Sequence, residues 1–225
     1  MKKIVAIILA AGSGTRCNTE IPKQYVSVAG RPVVMWSIDA FRSAVKDVET
    51  IMVINRETET LWHDLCRKYD FLSPKLVYGG ATRWESVKNA ITSIADCKDV
   101  TVLIHDGARP AVDAETISNV IHMAEVHDGA IPAVAVTDSL RMTKADGSSV
   151  AVDRSLYRAV QTPQGFPLDK LARAYDLPYR SDFTDDASVM EAAGFSDLVL
   201  VEGARNNIKL TYAADLVILE HVLKK

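Results

Sequence analysis

Apolar residues follow two periods along this chain, and the switching between them predicts the fold. Residues 4–9 form an uninterrupted apolar run rich in β-branched side chains, which suits a strand buried on both faces of a parallel sheet. After Arg31-Pro32 the spacing changes. Val34, Ile38, Phe41 and Val45 recur every three or four residues, the mark of one helical face, and Trp36 is expected to join that core. Strands follow at 50–54, 75–78 and 100–104, separated by a charged helix over 57–69 and a helix carrying Val87, Ala90, Ile91 and Ile94 on one face. A helix over 114–127 buries Ile117, Val120, Ile121 and Ala124, and 130–136 reads as a further strand. Later come helices at 168–175 and from Thr184, a plausible N-cap, to 193, a strand at 198–201 and a closing helix at 213–223. Strand–helix alternation with short connections predicts an α/β fold: a doubly wound, mostly parallel sheet covered by helices on both faces.

One stretch breaks the pattern. Residues 137–143 alternate polar and apolar, Asp146-Gly147 is the strongest hairpin-turn signal in the chain, and 149–152 would be the return strand. This predicts a protruding antiparallel β-arm at about 134–157. An arm of two strands cannot bury its apolar face alone, so either a second subunit supports it or it folds back on its own domain.

With 225 residues, 48% of them hydrophobic, one medium domain with a real core is expected over 1–225. A net charge of −3 argues against a surface that coats nucleic acid or anionic membrane. No stretch approaches the roughly 20 apolar residues of a membrane-spanning helix. Lys2-Lys3 before an apolar run suggest a secretory signal, but cleavage near Ala11 would remove the first strand, so that reading is rejected. Cys17, Cys66 and Cys97 show no C-x-x-C spacing, which fits a reduced, cytoplasmic setting. Cys17 is either a passive small side chain or, beside cations, a reactive thiol. The five histidines form no metal-ligand pattern.

Candidate chemistry lies where strands end. Ala10-Ala11-Gly12-Ser13-Gly14-Thr15-Arg16 follows the first strand, and Gly12 and Gly14 let backbone N–H groups approach an anion. Arg16 and Lys23 supply cations close behind. The third glycine of a dinucleotide fingerprint is replaced by Cys17, against an NAD-dependent oxidoreductase, and no P-loop occurs. Gly79-Gly80 repeats the arrangement after another strand, and Ser86 on the next helix either serves a base or phosphate or is part of a plain helix start. Asp106, at the end of the fourth strand, is where a phosphate-bound divalent ion or a ribose hydroxyl would be met, while His105 is expected to be structural. Thr184 is either a helix cap or a phosphate contact. The acids Asp185 and Asp186 suit a first helical turn by the macrodipole alone and are given no catalytic role. A further cation-bearing loop, 202–209, follows the last strand.

Taken together, the 9–16 loop with Pro22-Lys23-Gln24 resembles the sugar-nucleotide pyrophosphorylase-like nucleotidyltransferases. Gly79-Gly80 with Arg83 and Ser86, 105–110, Gln161-Thr162-Pro163-Gln164, Thr184-Asp185-Asp186 and Asn207-Ile208-Lys209 narrow the likeness to the 2-C-methyl-D-erythritol 4-phosphate cytidylyltransferase family. One departure is Gly107, where the family pattern has alanine. The resemblance implies a Rossmann-like fold, transfer of CMP from CTP to a polyol phosphate with release of pyrophosphate, and Mg²⁺. It implies that Arg16 and Lys23 stabilise the transition state and that Lys209 lies at the triphosphate. Ala10, Ala11, Gly12, Gly14, Gly80 and Ser86 would hold the nucleotide. Asp106, Arg109, Thr137, Arg154 and Thr184 would serve the acceptor and the cytidine moiety, with Arg154 reaching across a homodimer joined by the arm. No metal ligand is assigned, Asp106 being the one candidate. Ribitol 5-phosphate is the alternative acceptor, and a non-catalytic nucleotide-binding protein the alternative of another class.

Overall fold

The structure, a computed structural model, describes residues 2–12, 21–94 and 99–224. The expected sites Gly14 and Arg16, and the thiol of Cys17, lie outside the described residues. The elements run β1 (Lys3–Leu9), β2 (Ser27–Val28), β3 (Arg31–Pro32), α1 (Val33–Ala44), β4 (Glu49–Ile54), α2 (Glu59–Tyr69), β5 (Lys75–Tyr78), α3 (Arg83–Thr92), β6 (Val100–Asp106) and α4 (Ala114–Ala124). They continue through β7 (Gly129–Ala135), β8 (Arg141–Thr143), β9 (Ser149–Ala151), β10 (Arg158–Val160), β11 (Gln164–Pro167), α5 (Leu168–Ala174), α6 (Asp186–Ala192), β12 (Leu198–Glu202) and α7 (Ala213–Leu223).

The main sheet is mostly parallel, as the alternation predicts. β1 lies between β4 and β6, parallel to both, and β5 is parallel to β4 at one edge. Because the side-chain period of a strand is two, each central strand feeds both layers. Val5 and Ile7 pack with Val87 and Ile91 of α3, Leu171 of α5 and Met190 of α6, whereas Ala6 and Ile8 pack with Ile38 and Phe41 of α1, Trp62 of α2 and Ile117 of α4. Helices thus cover both faces, and a smaller cluster under α7 joins Val28, Val33, Ala108, Leu210 and Leu219.

The far half of the sheet departs from the alternation. β11 runs antiparallel between β6 and β7, with Ile104 opposite Gln164 and Val102 opposite Phe166. β10 lies on the same side of β7, because Ala133 pairs with Val160 there and with Glu202 of β12 on its other side. β10 and β11 are therefore one strand, interrupted at 161–163. Gly165 lets β11 lie close against α4: a Cβ there would meet Val120 Cγ1 at 2.5 Å.

The hairpin signal is correct. Among the described residues β8 and β9 pair only with each other, Arg141 opposite Ala151 and Thr143 opposite Ser149. At the tip Gly147 N–H donates to the Lys144 carbonyl, and Gly147 takes φ +82°, the left-handed conformation that closes a three-residue hairpin loop. Two smaller expectations need correction. Trp36 is half-buried, its Nε1–H donating to the Val28 carbonyl at 2.9 Å and its ring covered by Arg31. The N-cap of α6 is Asp185, whose carboxylate accepts from Ser188 N–H at 2.9 Å, while Thr184 is exposed one residue earlier. A carboxylate is the stronger acceptor for an orphan helix N–H, and Gln164 of β11 holds Asp185 in place by donating to its other oxygen at 2.8 Å.

Candidate active site

The carboxyl ends of β1, β4, β5 and β6 open into one cavity of about 550 Å³. It lies where β1 has its two parallel neighbours leading away in opposite directions, the switch point at which open α/β sheets bind ligands. Of the residues singled out from sequence, Ala10, Ala11, Gly12, Lys23, Gly80, Ser86, Asp106 and Lys209 line it. Arg109 packs behind Asp106, and Thr137, Arg154 and Thr184 are outside the lining. Arg154 donates to the Thr137 carbonyl, so those two residues meet at the base of the arm.

Side chains buried below the cavity hold its loops. Gln24 Nε2 donates to the carbonyls of Ala10 and Gly12 at 2.7 and 2.9 Å, fixing the exit of β1. On the β5 side, Gly80 N–H donates to Ser86 Oγ at 3.2 Å and that hydroxyl donates to the Thr82 carbonyl at 2.9 Å. Thr82 and Glu85 form a reciprocal capping box that starts α3. The second glycine is required sterically, since a Cβ at Gly80 would lie 2.4 Å from Glu85 Cβ.

Asp106 is the charged centre. Lys209 Nζ lies 2.7 Å from its Oδ2, and Arg109 Nε 3.6 Å from the same oxygen. Burial works to raise this carboxyl, but Lys209 first, then Arg83 and Arg109, outweigh it and hold Asp106 well below the usual carboxylate range. Lys209 reaches the cavity because its loop is stitched to the end of β6. Leu210 N–H donates to the Ala108 carbonyl at 2.8 Å, Arg109 Nη1 to the Asn207 carbonyl at 2.7 Å, and Asn207 Nδ2 to the Thr162 carbonyl at 2.8 Å.

His105 is structural, as expected. It is fully buried, edge-on to Phe41, with Nε2 3.0 Å from the Arg109 carbonyl and Nδ1 3.1 Å from Thr162 Oγ1. A carbonyl can only accept, so Nε2 carries the proton and Nδ1 accepts from Thr162, whose oxygen in turn accepts Asp106 N–H at 3.0 Å. Burial pushes the imidazole from 6.5 down to about 4. Between those values the unfolded chain binds a proton that the folded chain does not, so stability rises with pH across this window. Acidification from 6.5 to 4 is expected to remove about 3 kcal/mol, read as a falling urea midpoint, and His105→Gln should flatten that limb. An unchanged limb in the variant would show that another group titrates.

Three cavity residues, two of them named from sequence only as parts of motifs and given no role, carry geometry of their own. Arg83 donates to both oxygens of Asp186, at 2.9 and 2.6 Å, and Tyr175 Oη donates to the same carboxylate at 2.6 Å. Asp186 is entirely buried, so a residue read as a dipole partner is the anchor of a cavity cation. Gln24 and Asn55 are the others; Asn55, which the sequence reading missed altogether, stands at the carboxyl end of β4, a position that the strand-end rule alone would have flagged.

A switch-point cavity with glycine loops and two lysines, on a mostly parallel sheet, suits the phosphates of a nucleotide, and the family that the chain matches is one of nucleotidyltransferases. Residues 4–225 match the 2-C-methyl-D-erythritol 4-phosphate cytidylyltransferase family, IspD, and the chain belongs to it. It is a transferase, a cytidylyltransferase of isoprenoid precursor synthesis. Relatives bearing that family name include proteins from Bacteroides thetaiotaomicron, 42% identical over 97% of this chain and 98% of the relative, and from Porphyromonas gingivalis, 41% identical over 99% and 98%. Among solved structures, 4-diphosphocytidyl-2C-methyl-D-erythritol synthase from Anaerococcus prevotii superposes with a TM-score of 0.83 at 29% identity, covering 100% of this chain and 97% of that one. The Thermus thermophilus cytidylyltransferase gives 0.77 at 29%, covering 99% and 100%.

Proposed function

We propose that the chain transfers CMP from CTP to 2-C-methyl-D-erythritol 4-phosphate, forming 4-diphosphocytidyl-2-C-methyl-D-erythritol and pyrophosphate. The observation that carries this reading is the meeting of Asp106, Lys209 and Lys23 with the glycine loops in one cavity at the switch point. A phosphate monoester oxygen attacks the α-phosphorus, so two anions must be brought together and charge must be stabilised on the departing pyrophosphate. Lys23 and Arg16 stabilise the charge that grows in the transition state, and Lys209 holds the triphosphate. The acceptor phosphate is already ionised, so no general base is needed. His105, buried and committed on both ring nitrogens, is consistent with that.

Mg²⁺ fits this donor set. Among the described residues no group of three or more His, Cys, Asp or Glu could hold a metal, and Mg²⁺ is commonly bound by one or two carboxylates together with substrate phosphates. Asp106 would supply that carboxylate, and the ion would neutralise charge on the α-phosphate and on the leaving group. Arg109, Thr137, Arg154 and Thr184 are proposed for the acceptor. Of these, Arg109 sits nearest the cavity, and the meeting of Arg154 with Thr137 at the arm's base supports their acting as a unit.

A homodimer joined by the arm is part of the same reading. Met142, Leu156, Tyr157 and Val160 are exposed along 141–160, Leu156 at 79%, and a second copy is the simplest cover for them. Light scattering at micromolar concentration should give twice the chain mass; a compact monomer would remove the proposal. Among the described residues no helix is long and apolar enough to cross a membrane, and we place the enzyme in the cytoplasm as a proposal. The reaction is tested by pyrophosphate release from CTP and Mg²⁺ with methylerythritol 4-phosphate beside ribitol 5-phosphate. Release with the first alone supports the assignment, release only with the second changes the acceptor, and silence with both sinks it.

A further inference from the structure

The cavity differs from one side of the sheet to the other. Its strands hand it residues in the order Asp106 from β6, Ala10 to Gly12 after β1, Asn55 after β4 and Gly80 after β5. Neighbouring strands are about 4.8 Å apart, so the end of β4 lies about 10 Å from that of β6, about the reach from a nucleotide's α-phosphate to the far edge of its base. Ions crowd the β6 side, where Asp106 and Lys209 pair. The neutral polar side chains Asn55, Thr82 and Ser86 lie on the β4–β5 side, and Arg83, the cation that lines this side among the described residues, is held by Asp186.

Most hydrogen-bonding groups on this neutral side are already engaged. Ser86 accepts from Gly80 N–H and donates to the Thr82 carbonyl, and the amide and hydroxyl of Thr82 belong to the capping box. Asn55 is different. Its Oδ1 accepts Glu57 N–H at 3.1 Å, which fixes which end of the amide is oxygen and turns the NH₂ the opposite way. Among the described residues that NH₂ donates to nothing, and Asn55 is exposed to the cavity.

Building on the proposed CTP reaction, we infer that Asn55 is a specificity-determining residue that reads the nucleobase as a fixed donor. On cytosine N3 accepts and suits an NH₂ group, whereas O2 accepts on both pyrimidines and cannot tell them apart, so the contact that discriminates is the one at N3. On uracil, N3 carries a hydrogen and opposes it. A donor whose orientation is pinned from behind cannot flip its amide to accept from uracil without leaving Glu57 N–H unpaired. The residue thus favours CTP over UTP through donor–acceptor matching, where cavity size alone could not separate two pyrimidines.

The test compares CTP with UTP for the intact protein, by pyrophosphate release with methylerythritol 4-phosphate and by calorimetric Kd without acceptor. Asn55→Asp is the informative variant because its carboxylate still accepts Glu57 N–H while replacing the donors with acceptors; Asn55→Ala removes them. The CTP/UTP preference is expected to fall at least about tenfold in Asn55→Asp, and in the same direction in Asn55→Ala, with melting unchanged in the first. Equal losses for both nucleotides, or an unchanged ratio, would overturn the inference. If wild type binds CTP but releases no pyrophosphate, the reaction reading fails and the Kd ratio still decides the role of Asn55. Absence of CTP binding by wild type would overturn both.

Discussion

Arg83→Met is expected to destabilise the protein by about 3 kcal/mol. Asp186 is fully buried and its carboxylate is held by two donors from Arg83 and one from Tyr175. Taking away the guanidinium leaves an anion in the core with a single hydroxyl partner. The expected value sits at the lower end of the range for a broken buried pair, because the Arg83 side chain is itself 34% exposed and keeps part of its hydration. The converse is visible in the charge states. Burial works to lower the Arg83 guanidinium, yet Asp186 outweighs it and holds the cation above its ordinary value. Urea unfolding measures the loss. Arg83→Lys, which restores the charge without the two-pronged contact, should recover only part of it, and a variant as stable as wild type would refute this account of the pair.

Lys209→Ala is expected to lower turnover by a factor on the order of 10²–10³ while leaving the fold intact. The side chain is 37% exposed and, among the described residues, its amine pairs with Asp106 alone, so removal opens no core cavity. Asp106 would keep Arg109 and Arg83 as neighbouring cations and stay ionised. The loss therefore falls on the triphosphate and not on the carboxylate. Lys209→Arg should restore charge but not geometry, since a planar fork replaces a point donor. Single-turnover rates at saturating CTP provide the measurement, and wild-type rates in the alanine variant would remove Lys209 from the mechanism.

Much of this architecture is legible in the chain because each parallel strand is a continuous apolar run and each helix shows a single face. β5 begins and ends where periodicity puts it, and α3 buries Val87, Ala90 and Ile91 as expected. β11 was not legible. Gln164-Gly165-Phe166-Pro167 has neither alternation nor a β-branched residue, and its strand character comes from fitting between β6 and β7. The short pair β2 and β3 escaped for a similar reason, since two residues carry no period. At the cavity, strand-end loops gave the location, and local spacing led to Lys23, Ser86 and Asp106. The bond between Arg83 and Asp186 joins residues 103 apart in sequence, and nothing local in either stretch announces the other. The same distance in the chain hid the ion pair of Lys209 with Asp106.

The antiparallel wedge formed by β11 also dictates an order of assembly. β1, β4, β5 and β6 pair among themselves and are complete once residue 106 exists. β7 is made next but cannot dock on β6, because the slot between them belongs to residues 164–167. On this topology the native sheet cannot close between β6 and β7 until residue 167 of the 225 has been made. Throughout that interval the edge of β6 is unpaired, and the hairpin and its apolar flank are exposed before the centre has closed. Delayed closure by a non-local pairing is the situation in which nascent chains are most prone to associate wrongly. The strand that ties the arm to the cavity side of the sheet thus makes closure of the whole sheet wait on the later part of the chain.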